Sequence, residues 1–158
     1  MKGNAEILAT LNALLQGEMT AVDQYFIHSR MYKDQGLHKL FERLKHETEE
    51  EFEHATALIR RILFLEGVPD LGKRDPLNIG HDAPSMLRSD LAYEYKVVAD
   101  LKAAIALCEQ HQDYGTRELL EKLLEDTEED HAYWLEQQLG LIDKMGLENY
   151  LQAQATPL

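Results

Sequence analysis

The chain holds a single cysteine, Cys108, among 158 residues. One thiol cannot form a disulfide framework or a Cys-rich zinc site, and its position on an apolar stripe marks it as a small core residue. Cations are also scarce, with 16 Lys and Arg against 29 Asp and Glu, a formal charge of −13. That balance argues strongly against DNA or RNA binding, which needs clustered basic side chains to neutralise phosphate. It suits a cationic partner such as a metal ion. No segment approaches the roughly 18 apolar residues of a membrane span. The opening MKGNAEILATLNALLQGE mixes polar with apolar residues, unlike a signal peptide, so a cytoplasmic protein is expected. Breakers of regular structure are few and confined. Pro69, Pro76 and Pro84, with Gly67, Gly72 and Gly80, all fall between residues 66 and 84. What remains is 44% hydrophobic and 28% charged, ordinary for one globular domain over 1–158 with a sizeable core.

Outside that segment the chain reads as long helix. Ile7, Leu8, Leu11, Leu14, Leu15, Met19, Val22, Tyr25, Phe26 and Tyr32 follow the 3.6-residue period of an amphipathic helix, which Gly36 ends. A second stripe runs Leu37, Leu40, Phe41, Leu44, Ala55, Leu58, Ile62 and Leu65. The third starts after Pro84 with Ser85 as N-cap and takes in Leu87, Leu91, Val98, Leu101, Ile105 and Cys108. The fourth follows Gly115 with Leu120, Leu124, Leu135, Leu139 and Ile142, and stops at Gly146 before a short fifth helix, LENYLQAQ. Four helices with one apolar stripe each pack as a bundle. The turns at Gly36 and around Asp113–Gly115 are tight, so helices one and two run antiparallel, as do three and four. The 66–84 segment could stretch about 60 Å, more than the roughly 42 Å of a 28-residue helix. It can cross the bundle and set helix two parallel to helix three. The predicted class is all-α: a ferritin-like four-helix bundle with one long crossover between helices two and three, plus a short C-terminal helix.

Charged residues interrupt each stripe near its middle. Glu18 lies between Leu14 and Val22; Glu47, Glu51 and His54 lie between Leu44 and Leu58. Glu94 lies between Leu91 and Val98, and Glu128 and His131 lie between Leu124 and Leu135. Burying such carboxylates without compensation costs several kcal/mol each. Two divalent cations would balance four glutamates, with two neutral imidazoles as nitrogen ligands. An oxygen-rich set with imidazole suits iron or manganese. Residues i and i+3 share a helix face, so Glu51 with His54, and Glu128 with His131, can converge. The arrangement occurs twice, with Glu18 33 residues before Glu51 and Glu94 34 before Glu128. The extra residue predicts a bulge in helix three or four. A lone Glu-x-x-His on an acidic helix is an ordinary solvated face. Two copies on buried stripes, each with an upstream inward Glu, point instead to a di-metal site. Glu47 and Asp126 are candidate acceptors for the histidines' second ring nitrogens.

The opening MKG, QYFIHSRM at 24–31, RILFLEG at 61–67 and MGLENYLQAQ at 145–154 carry a resemblance to the bacterioferritins along essentially the whole chain. That resemblance implies a 24-subunit shell for iron storage and detoxification, with ferroxidase activity at an intrasubunit di-iron site. It implies Glu18, Glu51, His54, Glu94, Glu128 and His131 as metal ligands, and Tyr25 as the tyrosine beside the site. A plain core aromatic is the alternative for Tyr25. His46 and Glu50 correspond to an inner-surface iron site of some relatives, although a solvated helix face is the preferred reading. Haem-binding bacterioferritins place a methionine directly after the second-helix Glu, where this chain has Phe52. Phenylalanine offers iron no lone pair, so a homopolymer is expected to lack haem b. The implied partners are Fe(II), O2 or H2O2, further copies of the chain or a co-assembling haem-binding bacterioferritin subunit, and the bacterioferritin-associated ferredoxin. The missing methionine puts ferredoxin docking in question. A di-iron peroxidase or oxygenase that forms no shell is the competing expectation. LENYLQAQ argues against it, because a lone subunit would leave Leu147, Tyr150 and Leu151 exposed.

Overall fold

The computed structural model describes residues 1–155, so the last three residues of the expected 1–158 domain lie outside the description. Helices α1 (Ala5–Asp34), α2 (His38–Phe64) and α3 (Ala83–Gln110) form three rods of a bundle. The fourth is composite: α4 (Tyr114–Glu125), a π-helical stretch (Asp126–Ala132) and α5 (Tyr133–Met145). Then α6 (Leu147–Ala155) closes one end. No strand occurs among the described residues.

Local chemistry sets the boundaries. Asn4 caps α1, its side chain accepting from the Glu6 and Ile7 amides. Gly36 and Gly146 take φ of +77° and +83°, the left-handed conformation that ends α1 and α5. At α3 the N-cap is Asp82, not Ser85. Asp82 accepts from the Ser85 amide while the Ser85 hydroxyl takes the Asp82 amide, and Pro84 sits inside the first turn. A proline needs no amide partner there, so it belongs in the helix rather than before it.

The ends fix the topology. Gly3 donates to the Leu65 carbonyl at 2.9 Å, bringing the start of α1 beside the end of α2. Arg61, near the end of α2, reaches Asp113 and Thr116 beyond the end of α3, so these two helices run parallel. The connecting segment travels along α1. Val68 and Asp70 bond Asn12, Asp75 bonds Gln16 and Thr20, Asn78 bonds Gln24, Gly80 bonds His28, and His81 bonds Gln35. These side chains satisfy loop backbone that has no sheet or helix partner.

The apolar core is divided in two. One half gathers Leu11, Leu15, Leu58, Ile62, Leu101 and Leu120; the other gathers Tyr25, Leu40, Leu44, Leu87, Leu135 and Tyr150. Each fully buried leucine contributes roughly 1.5–3 kcal/mol. Between the halves lies a band of charge. Tyr150 belongs to this core and donates to Gln138 at 2.7 Å, so α6 covers its own subunit rather than waiting for a partner. The expectation that Tyr150 would be exposed is therefore corrected, while Leu147 remains on the surface.

Candidate metal centre

Glu18, Glu51, His54, Glu94 and His131 meet inside the bundle, one to two from each rod, all buried. They form two overlapping groups, Glu18–Glu51–His54 and Glu51–Glu94–His131, whose donor atoms lie within 4.8 Å of one another. Glu51 belongs to both. Its Oε2 is 3.4 Å from His54 Nδ1 and its Oε1 is 2.9 Å from His131 Nδ1. Glu18 Oε2 lies 3.7 Å from His54 Nδ1, and Glu94 Oε1 lies 3.6 Å from His131 Nδ1. The two imidazoles stack with centroids 5.7 Å apart and planes 20° from parallel. Tyr25 donates its hydroxyl to Glu94.

The far ring nitrogens have acidic partners. His54 Nε2 lies 3.1 Å from Asp126 Oδ2, and His131 Nε2 lies 2.6 Å from Glu47 Oε2. Asp126 is the expected acceptor for His54, whereas the hydrogen bond at His131 Nε2 goes to Glu50 Oε2 at 2.7 Å with Glu47 beside it. Such contacts turn Nδ1 of each ring towards the centre.

Electrostatics record the strain of enclosing this much charge. Burial, and then the Glu51 charge, push the Glu18 carboxyl well above its ordinary range. Burial also raises Glu51, but its close approach to Glu18 and the two histidines outweighs this and holds it low, so one proton is shared unequally between the two acids. Burial lifts Glu94 to about 7. For His54, burial favours the neutral ring, yet Glu18 and Glu51 overcome this and push it up to about 11. His131 rises too, against its burial, through Glu47, Glu51 and Glu94. Burial raises the Tyr25 phenol, which stays a proton donor.

Glu128 is not in the centre. Its side chain is 42% exposed, and Oε2 lies 3.8 Å from Lys102 Nζ at the surface. The reason is the π-helical turn that begins at Asp126. Its i→i+5 bonding places more residues in each turn, so Glu128 and His131 no longer share a face as they would in an α-helix. This is the bulge implied by the unequal spacings, and it sets Glu128 apart from the other five expected ligands in this structure. The nearest carboxylates from this rod are instead Asp126 and Asp130.

The arrangement of helices and buried acids agrees with comparisons to known proteins. Residues 8–145 match the family model of the ferritin-like domain. Over 154 residues the chain is 62% identical to a bacterial ferritin of Synechocystis sp., covering 98% of this chain and 99% of that one. It is 60% identical over 154 residues to a bacterial ferritin of Pseudomonas aeruginosa, with the same coverage. A bacterioferritin of Mycobacterium avium is 42% identical over 150 residues, 95% of this chain and 94% of that protein. The chain belongs to the ferritin-like family.

In this ferritin-like chain the donor set suits a pair of hard divalent ions. Glu51 Oε2, His54 Nδ1 and His131 Nδ1 are buried and form no aligned hydrogen bond among the described residues, and all three face the space between the rods. Buried donors in that state are what a metal ion would satisfy. Three buried acids of the two groups, Glu18, Glu51 and Glu94, supply three negative charges towards the four positive charges of two such ions. Glu50, read as a solvated face, lies closer in than expected, with Oε2 2.7 Å from His131 Nε2; its partner His46 is largely exposed. Arg43, Glu50 and Asp130 were not singled out as part of this centre. The Arg43–Glu47 spacing of i,i+4 was the available signal for Arg43. Phe52 is 50% exposed on α2. No described helix is long and apolar enough to cross a membrane.

Proposed function

We propose that this chain is an iron-storage subunit whose buried centre oxidises Fe(II) and passes Fe(III) to the interior of a 24-subunit shell. The observation that carries the reading is Glu51, a single carboxylate shared between two Glu–His groups whose inward nitrogens are free to bind. Two Fe(II) ions, as substrate, would each lose one electron. O2 accepts both electrons with two protons to give H2O2, or H2O2 accepts them with two protons to give two waters. Pairing the metals lets the oxidant take two electrons in one place and release no one-electron radical.

The protein supplies the rest. Glu18, Glu51 and His54 bind on one side; Glu51, Glu94 and His131 bind on the other. Carboxylates are hard ligands and stabilise Fe(III) over Fe(II). Tyr25 donates its hydroxyl to Glu94 and so positions that carboxylate. Asp126 orients the His54 ring, and Glu50, with Glu47 beside it, orients that of His131.

A substrate oxygenase without a shell is disfavoured by space. The hollow beside the centre, lined by Tyr25, Leu44, Glu47, His131, Trp134 and Leu135, has a volume of about 10 Å³. That is the room of roughly one water molecule. Half-exposed Phe26, Phe52 and Phe64 supply apolar surface for assembly.

Stopped-flow absorbance of ferric product tests the reading. Glu18→Ala and His131→Ala are expected to abolish the fast phase while native mass spectrometry still finds an assembled shell. Fast oxidation at the natural rate in either variant would overturn the assignment.

A further inference from the structure

His131 faces two different groups of carboxylates. Its Nδ1 is directed at Glu51 and Glu94, while its Nε2 lies 2.6 Å from Glu47 Oε2 and 2.7 Å from Glu50 Oε2. Asp130 completes the second group, with Oδ2 4.0 Å from Nε2. Glu47, Glu50, Asp130 and His131 thus have donor atoms within 4.8 Å of one another, as close as those of the buried centre. A neutral imidazole offers a lone pair on only one nitrogen and a proton on the other. Some feature of the chain must decide which side takes a metal.

Arg43 is placed to decide it. Its Nε lies 2.6 Å from Glu47 Oε1, and its Nη2 donates to Asp130 Oδ1 at 3.0 Å. The guanidinium sits over the Trp134 ring, 4.7 Å from the centroid, and is only 26% exposed. One planar cation therefore bridges α2 to the π-helical turn and pairs with two of the three acids in the second group, offsetting one of their charges. A rigid fork can span two carboxylates in this way; a lysine is a single point of charge and cannot. Glu47, held by one oxygen on Arg43, presents the other to His131 Nε2.

We propose that Arg43 is a positioning residue which, by pinning Glu47 and Asp130, keeps metal ions off the Nε2 side of His131 and leaves Nδ1 to bind between Glu51 and Glu94. This role rests on the proposed function. Arg43 binds no iron itself. It acts by fixing Glu47 at 2.6 Å from Nε2, beside Glu50, which makes the hydrogen bond there, so that the ring's Nε2 side is filled and Nδ1 is left facing inward. Without it, Glu47, Glu50 and Asp130 lose their internal cation and become a competing site that draws His131 outward.

Co(II) titration of the iron-free protein tests this, read by visible absorption and by metal per subunit after gel filtration. The natural protein is expected to take up about two Co(II) per subunit, one for each overlapping group of the centre. Arg43→Ala is expected to take up about three, with a new absorption component that Glu50→Gln in the same background removes. Arg43→Lys is expected to bind the extra ion at least about tenfold more weakly than Arg43→Ala, since charge is kept but the bridge is lost. A folded Arg43→Ala with the uptake and spectrum of the natural protein overturns the proposal. If Arg43→Ala does not fold, Arg43→Lys decides, and natural uptake and spectrum at saturating Co(II) overturn it. A natural protein that takes up no Co(II) removes the proposed function and the role of Arg43 with it. That failure is distinct from one confined to the variants.

Discussion

Glu51 lies within 3.4 Å of both histidines of the centre, His54 and His131, and the protonation of those rings follows from the acids around them. His54 is pushed up to about 11, so near neutral pH it carries a proton in the metal-free protein. His131 is shifted the same way. A metal needs the unprotonated ring, so binding must expel protons, and apparent affinity must rise with pH until the rings titrate. Adding Zn(II) to weakly buffered protein at about pH 7 is expected to acidify it, with tighter binding at about pH 8 than at about pH 6. A pH-independent affinity with no proton release would contradict this. Asp126 makes a second test at this scale. It orients His54 from outside the centre, so Asp126→Ala is expected to weaken metal binding by about 10–100-fold in a calorimetric titration. Unchanged affinity would mean that the contact is incidental.

At the scale of elements, the crossover is fastened to α1 and α3 through a buried knot. His28 Nδ1 lies 2.9 Å from Asp90 Oδ1, Gln24 donates to the same oxygen, and the Gly80 amide donates to His28 Nε2. Removing the ring leaves the buried Asp90 carboxylate with one donor fewer and opens a cavity. His28→Ala is expected to lower stability by about 3 kcal/mol in urea unfolding. A loss below about 0.5 kcal/mol would mean that the knot is dispensable. Helix order, lengths and the crossover were legible because apolar stripes at 3.6-residue spacing and two glycines at positive φ are local signals. The charged band was legible for the same reason, since Glu18, Glu51, His54, Glu94 and His131 occupy positions where the stripe demands an apolar residue. Two features were not. Asp82 was hidden as the cap because Pro84 reads as a boundary when it is in fact the second helical residue. The placement of Glu128 apart from the other five is not legible in the sequence, because only the backbone reveals that its turn is π-helical. The 33- and 34-residue spacings announced an extra residue without giving its place. Arg43 was illegible because its role depends on Asp130, 87 residues away.

The whole molecule joins two apolar half-cores through a buried acidic band, an arrangement that favours metal loading over apo stability. Each ion bound only by the native fold stabilises it by mass action, about 2.7 kcal/mol at a ligand concentration of 100 Kd. The melting temperature is therefore expected to rise with divalent metal in the natural protein and to stay flat in Glu51→Ala. An equal rise in both would place the stabilising ions elsewhere, for instance on the acidic surface that the −13 charge creates. The most direct measurement is anomalous diffraction at the iron edge from crystals soaked anaerobically in Fe(II). Two peaks per subunit are expected, one among Glu18, Glu51 and His54 and the other among Glu51, Glu94 and His131. Iron bound only at the surface, with no peak beside Glu51, would contradict the account.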